Sequence, residues 1–277
     1  MKLILLFITL FPSLVLAQAQ VFPTRLTLTA QAPSSYLNLK NATQTPQKYR
    51  IELTQYQMKK DGSAVKIENS SNPLLELIKY SPKSVTLEPN EKQVVRVMAT
   101  SFDGLADGDY SIYVHFIPET ESVEKTGTSN VSSFKLQARI AVAVPIIVRQ
   151  GALSLNNKIT NLSAKSSKKG DLNVTFNLTN STKYFVTGDL DVLAVTDKGE
   201  KQIAKAVGIS SYIPERLVST SIPAEDLNAK LDGAVLKKIK IKYASNESSG
   251  TNFELLAESE LGATSSTKKI KKSSKRQ

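Results

Sequence analysis

The chain has 277 residues, a formal net charge of +11 and no cysteine. This excludes disulfides, thiol nucleophiles and thiolate metal sites, while the length suffices for one or two domains that stand on apolar burial alone. Six of the cations, Lys268, Lys269, Lys271, Lys272, Lys275 and Arg276, fall in the last ten residues, so the body is only mildly basic and nucleic acid is not an expected ligand.

Residues 1–19 read as a secretory signal peptide, with one lysine, a short apolar run and small residues at Ala17 and Ala19. The run, about 15 residues, falls short of the roughly 20 that a bilayer span needs. No second apolar run follows. A soluble protein outside the cytoplasm, without stable membrane insertion, is expected.

Short strands then follow one another. Val21 to Leu28 alternates loosely, Tyr36 to Leu39 ends at Asn41, and Tyr49 to Tyr56 alternates clearly. Asp61-Gly62 marks a turn. Asn72 to Lys79 could form a turn or two of helix. Val85 to Leu87 and Val94 to Met98 flank the turn Glu88-Pro89-Asn90-Glu91, and Tyr110 to Phe116 alternates again. The longest extended signal runs from Phe134 to Val144, with Phe134, Leu136, Ala138, Ile140, Val142 and Val144 on one face. Gly151 marks a boundary. Beyond it, Leu172 to Leu178, Tyr184 to Val186, Asp189 to Val195, Ile209 to Tyr212 and Val235 to Tyr243 read as strands, with a hairpin turn at Asp197-Lys198-Gly199-Glu200. Phe253 to Leu256 is a candidate last strand.

The predicted class is all-β. An immunoglobulin-type sandwich spans 20–150, a smaller sandwich spans 151–261, and a disordered basic tail occupies 262–277. The tail suits anionic surfaces, or serves as a plain solubilising end.

Catalytic chemistry is not indicated. The one histidine, His115, sits within an alternating strand. No metal-protease, nucleophile-elbow or phosphate-loop motif occurs. Asp103, Asp107 and Asp109 are too few in register for a calcium loop. Neither enzyme activity, metal nor cofactor is expected. The run Phe134 to Val144 leaves two readings open. It is an internal core strand, or it offers an edge to another chain by β-strand addition.

Several segments carry a resemblance. Val21-Phe22-Pro23-Thr24-Arg25, the stretch Ser81 to Val97, the stretch Gly104 to Phe116, and Asn180-Ser181-Thr182-Lys183-Tyr184-Phe185-Val186-Thr187 resemble, in order, elements of the PapD-like periplasmic pilus-assembly chaperones of the chaperone–usher pathway. The resemblance spans about residues 20 to 245. It implies two immunoglobulin-like domains set in an L shape, residence in the periplasm, and no enzymatic role. It also implies pilin-like subunits and an outer-membrane usher as partners. The strand before the linker would complete a subunit by donor-strand complementation, with Phe134, Leu136, Ala138 and Ile140 as donor residues. Arg25 resembles the first of two basic anchors for the subunit's terminal carboxylate. The second, a lysine in the family, falls on Ala141 when aligned through Ile140, and Arg139 is the nearest basic residue. The alternative expectation is a structural or adhesive envelope protein built on the same domains.

Overall fold

The computed structural model describes residues 19–68, 72–119, 140–245 and 255–262. The predicted signal peptide apart from its last residue, Ala19, the residues Phe134 to Arg139 and nearly all of the basic tail lie outside them.

The first unit is a two-layer β-sandwich. It contains β1 (Ala19–Phe22), β2 (Leu26–Leu28), β3 (Ser34–Asn41), β4 (Gln47–Met58), β5 (Ala64–Ile67), α1 (Leu74–Leu77), β6 (Ile78–Ser81), β7 (Ser84–Leu87), β8 (Lys92–Ala99), β9 (Gly108–Glu119) and β10 (Val142–Gln150). One sheet has the order β1-β3-β8-β6. The other has β2-β10-β9-β4-β5, with β7 also paired to β4. Alternate residues meet between the layers: Leu37 and Leu39 of β3, Val95 and Val97 of β8, Ile112, Val114 and Phe116 of β9, and Val144, Ile146 and Val148 of β10. This period of two puts apolar side chains inside and leaves the other face of each strand outward.

The second unit contains β11 (Asn157–Ser166), β12 (Leu172–Asn180), β13 (Val186–Thr196), β14 (Gly199–Ser211), β15 (Glu215–Ile222), α2 (Ala224–Leu231), β16 (Leu236–Ser245) and β17 (Leu255–Gly262). Its sheets are β11-β12-β15 and β14-β13-β16-β17. Leu172, Val174, Phe176, Val192, Ile239, Ile241 and Tyr243 fill a separate core. Two sandwiches of immunoglobulin-like character therefore follow one another.

A buried asparagine recurs at the same place in each. Asn41, ending β3, donates to the carbonyls of Thr45 (2.8 Å) and Leu87 (3.0 Å), and its Oδ1 accepts from the Thr43 amide and hydroxyl. Asn180, ending β12, donates to Tyr184 O (2.8 Å) and Ser211 O (3.3 Å) and accepts from the Thr182 amide and hydroxyl. Each Asn-x-Thr thereby satisfies carbonyls that the ladder cannot reach.

Some expectations are revised. Val21 to Leu28 is two strands in different sheets, because Pro23 cannot donate to a ladder and the chain changes layer there. The turn or two of helix expected over Asn72 to Lys79 is present as one turn, Leu74–Leu77, and the chain is extended again from Ile78. Tyr184 to Val186 and Asp189 to Val195 are not two strands, since β13 is continuous from Val186. The described part of the long run begins as strand only at Val142, with Ile140 and Ala141 exposed ahead of it.

Candidate functional site

A cleft lies between the two sandwiches. Its floor is the outer face of the β2-β10-β9-β4 layer. Cross-strand register puts Thr27, Ile147 and Ser111 in one row, Pro145, Tyr113 and Thr54 in the next, and Ala143, His115 and Glu52 in a third. Arg25 precedes β2. Since Leu26 pairs with Ile146, the position on β10 that flanks Arg25 is Pro145.

Arg25 reaches across to the second sandwich. Its Nη1 donates to Thr187 Oγ1, its Nη2 donates to Ser210 Oγ at 2.9 Å, and its guanidinium carbon lies 5.0 Å from the centre of the Tyr212 ring. No ion pair among the described residues engages it. It is a half-buried cation with donors to spare, because a guanidinium carries five N–H groups.

Aromatic side chains cluster on the Tyr212 and Tyr113 side of this cation. Tyr56 meets Tyr113 edge-on, with ring centres 5.1 Å apart, and stacks on His115 at 5.3 Å. Tyr212 packs against Phe185 at 5.0 Å. A cavity of about 280 Å³ opens here, lined in part by Tyr56, Ser111, Tyr113 and Tyr212. Burial pushes the Tyr113 hydroxyl up to about 12, with Tyr212 adding to this and Arg25 opposing it. Burial likewise raises Tyr212, whose hydroxyl sits beside Ser210 and Thr187 without a well-formed hydrogen bond. Burial lowers His115 and so favours the neutral ring, with Glu52 opposing and Lys66 adding to it.

Two contacts set the cleft. At its base, Asp109 is fully buried and accepts from Arg149 Nε (2.8 Å), Arg149 Nη2 (2.7 Å) and the Phe185 amide (2.7 Å). Gly151 turns the chain there at φ +80°. A Cβ on it would fall 2.6 Å from Asp107 Cγ and 2.8 Å from the Tyr184 hydroxyl, so only glycine fits. At the far end, the β4–β5 hairpin touches β15. The Leu217 amide donates to Lys60 O at 2.7 Å, and Lys60 pairs with Glu215 at 2.9 Å.

The leading edge of β10 completes the site. β9 pairs one side of β10 throughout, whereas β2 covers the other side only at Ile146 to Val148. Over Val142 to Pro145, no strand among the described residues takes that second edge. Pro145 lacks an N–H, which suits an edge and not a sheet interior.

No family model matches the chain. No curated protein matches it either. Among solved structures it is similar to the YadV chaperone, at 14% identity and TM-score 0.45, over 89% of this chain and 100% of that one. It is similar to the CupB2 chaperone of Pseudomonas aeruginosa, at 13% identity and TM-score 0.43, over 86% and 99%. It is also similar to a chain of the Salmonella enterica SafA pilin–SafB chaperone complex, at 15% identity and TM-score 0.44, over 90% and 96%.

Of the residues singled out by sequence, Arg25 lies in the cleft and Ile140 lies just ahead of β10, half exposed. Phe134, Leu136, Ala138 and Arg139 fall outside the described residues. Ala141, where the alignment puts the family's lysine, is exposed and four residues ahead of the position that flanks Arg25. β10 contains no lysine. No site role is assigned by sequence to Ser210, Tyr212 or Tyr113, and Thr187 is named only as the end of the segment Asn180 to Thr187. For Tyr113 a signal existed, because it occupies the outward register of the alternating run Tyr110 to Phe116. Thr187, Ser210 and Tyr212 come from 160 to 190 residues downstream of Arg25 and meet it only through the fold. Among the described residues, no group of three or more His, Asp or Glu side chains could hold a metal ion, and no helix is long and apolar enough to cross a membrane.

Proposed function

We propose that this chain is a periplasmic chaperone that holds an incomplete β-sandwich subunit of a pilus or fimbria by donating a strand to it. The observation that carries the reading is the unpaired edge of β10 over Val142 to Pro145, beside an arginine with no acidic partner among the described residues. An exposed strand edge is a ready template for another chain, and main-chain hydrogen bonds supply affinity whatever the client's sequence. Phe134, Leu136, Ala138 and Ile140 share their parity with Val144 and Ile146, and would fill the client's groove ahead of this edge. Arg25 would take the client's terminal carboxylate, a charge-assisted contact for which a planar guanidinium is well shaped. Pro145 gives it no lysine partner, so Arg25 would act with the hydroxyls of Thr187 and Ser210 nearby. An outer-membrane usher would receive the loaded complex.

Co-expression with a candidate subunit in an exporting host tests this. A 1:1 complex is expected. Arg25→Ala should weaken it by about 10- to 100-fold, the loss of one charge-assisted contact, and Leu136→Asp should abolish it while the free protein's thermal melt stays unchanged. Absence of any 1:1 complex would favour a structural or adhesive envelope role. A complex indifferent to Arg25→Ala would remove the carboxylate anchor.

A further inference from the structure

The outer face of the β1-β3-β8-β6 sheet is turned away from the core and combines exposed apolar side chains with cations. Phe22 is 72% exposed, Tyr36 51% and Val94 49%. Register makes them neighbours. Phe22 pairs with Asn38, Asn38 pairs with Val94, and Tyr36 pairs with Arg96 in the adjacent outward row. Adjacent strands lie about 4.8 Å apart, so Phe22 and Val94 flank Asn38 at roughly 10 Å from each other.

The charged residues in outward register on these four strands are all cations, set among neutral Gln20, Asn38 and Ser81. Lys40 and Lys92 pair on one side, and Arg96 and Lys79 lie on the other, all in outward register. No Asp or Glu occupies an outward position on the four strands. No ion pair among the described residues engages Lys40, Lys79, Lys92 or Arg96. The nearest carboxylates in sequence lie off the sheet: Glu76 is exposed on α1 ahead of Lys79 and forms no ion pair among the described residues, and Glu88 and Glu91 belong to the turn before β8, where Glu91 accepts from the Glu88 amide at 2.7 Å. Elsewhere the chain pairs its charges readily: Lys240 alone meets Glu200, Glu258 and Glu260.

We infer that this face docks on an anionic lipid bilayer. Unpaired cations gain from a negatively charged headgroup plane. Bare hydrocarbon at Phe22 and Val94 gains only if it leaves water, which a hydrated polyanion does not provide and an acyl interface does. Tyr36, with an apolar ring and a polar tip, suits the headgroup level. The three side chains stand apart on a sheet face and do not line a groove, so a soft, fluid surface accepts them without matching pockets. The face belongs to the opposite layer from the cleft floor, so docking there leaves the β10 edge and Arg25 accessible.

The test is flotation of the chain, purified from an exporting host, with vesicles of phosphatidylglycerol and phosphatidylethanolamine, set against pure phosphatidylcholine. Flotation should require phosphatidylglycerol and should weaken as salt rises. Phe22→Ser with Val94→Ser, and separately Lys79→Gln with Lys92→Gln and Arg96→Gln, should each lower partitioning at least tenfold; each surface cation alone is worth about fivefold. Neutralising the six C-terminal cations by Gln removes the tail's own contribution, and the dependence of binding on the two face variants should persist in that background. All changes are on exposed side chains, so melts should match the parent, and the charge set serves if the apolar pair misfolds. Failure of the parent to float, flotation unaltered by both face variants, or loss seen only in the tail variant would overturn the inference. An acidic protein as the true partner would show as the first of these outcomes. Subunit capture is a separate readout, expected to be unchanged in the face variants.

Discussion

Asp109 joins two sandwiches with one carboxylate. Its side chain is wholly buried, and it faces Arg149, which is nearly so, in a two-bond fork. The third bond comes from the Phe185 amide of the second unit, and Asp109's own amide donates to Lys183 O at 2.9 Å. Burying such a pair gains little over apolar packing, but removing one partner strands the other charge. Asp109→Ala should therefore destabilise by about 3–5 kcal/mol, and denaturant unfolding read at both sandwiches is the measurement. Because Phe185 also loses its acceptor, the loss should be felt in both units. Destabilisation confined to the first would mean that the link to Phe185 carries little.

At the scale of elements, β17 shows how charge holds an edge strand. It pairs with β16 from Lys238–Gly262 to Ala244–Leu255. On the outer face Lys238 and Lys240 meet Glu260, and Lys240 also meets Glu200 and Glu258. Hydrogen bonds from Lys240 hold the Glu200 carboxyl below the usual range, and those from Lys238 and Lys240 do the same for Glu260. A depressed carboxylate contributes stability that is full above its unfolded pKa, about 4.3, and is lost as pH falls through the folded value. Hydrogen exchange, corrected for its intrinsic pH dependence, should show β17 losing protection below about pH 4 while β13 keeps its own. Equal loss in both strands would show that the glutamates do not fasten β17. These elements also show what a sequence can disclose. β12, β9 and β16 were legible because one face is buried and the period is unbroken. β11 was not, since Asn161 takes φ +53° and the register slips between Thr160 and Ser163. Nor was β15, an edge strand whose outward register is Leu217, Ser219 and Ser221. α2 carried its own marks, Pro223 before it, Glu225 and Asp226 in its first turn and Gly233 after it, which a strand-dominated expectation passes over. In the cleft, Arg25 was legible from its motif, but its partners were not, since their approach depends on how the two units pack.

At the scale of the whole molecule, the units meet unequally. The base is the buried Asp109–Arg149 network. The far end is the β4–β5 hairpin on β15, where Lys60 is mostly exposed and solvent screens its pair with Glu215. The Leu217-to-Lys60 bond adds about 0.5–1.5 kcal/mol, and Gly62, at φ +83°, lies against the Arg216 guanidinium, where a Cβ would come within 2.6 Å. These contacts hold the hairpin weakly, whereas the base is buried and is tied to the second unit by bonds to Phe185 and Lys183 that cannot break without stranding a charge. The cleft should thus open at the hairpin and pivot at Asp109. Leu217→Pro is a clean probe. The Leu217 N–H leaves the sheet toward Lys60, and an edge strand tolerates proline where its amide points outward. Combined with Lys60→Ala, it should raise the radius of gyration in solution scattering and broaden the distribution of distances between spin labels on the two units. The thermal melt of each sandwich should move little, because neither core is touched. If scattering and distances stay as in the parent, the base alone fixes the units, and a client would have to enter the cleft without any opening at the hairpin.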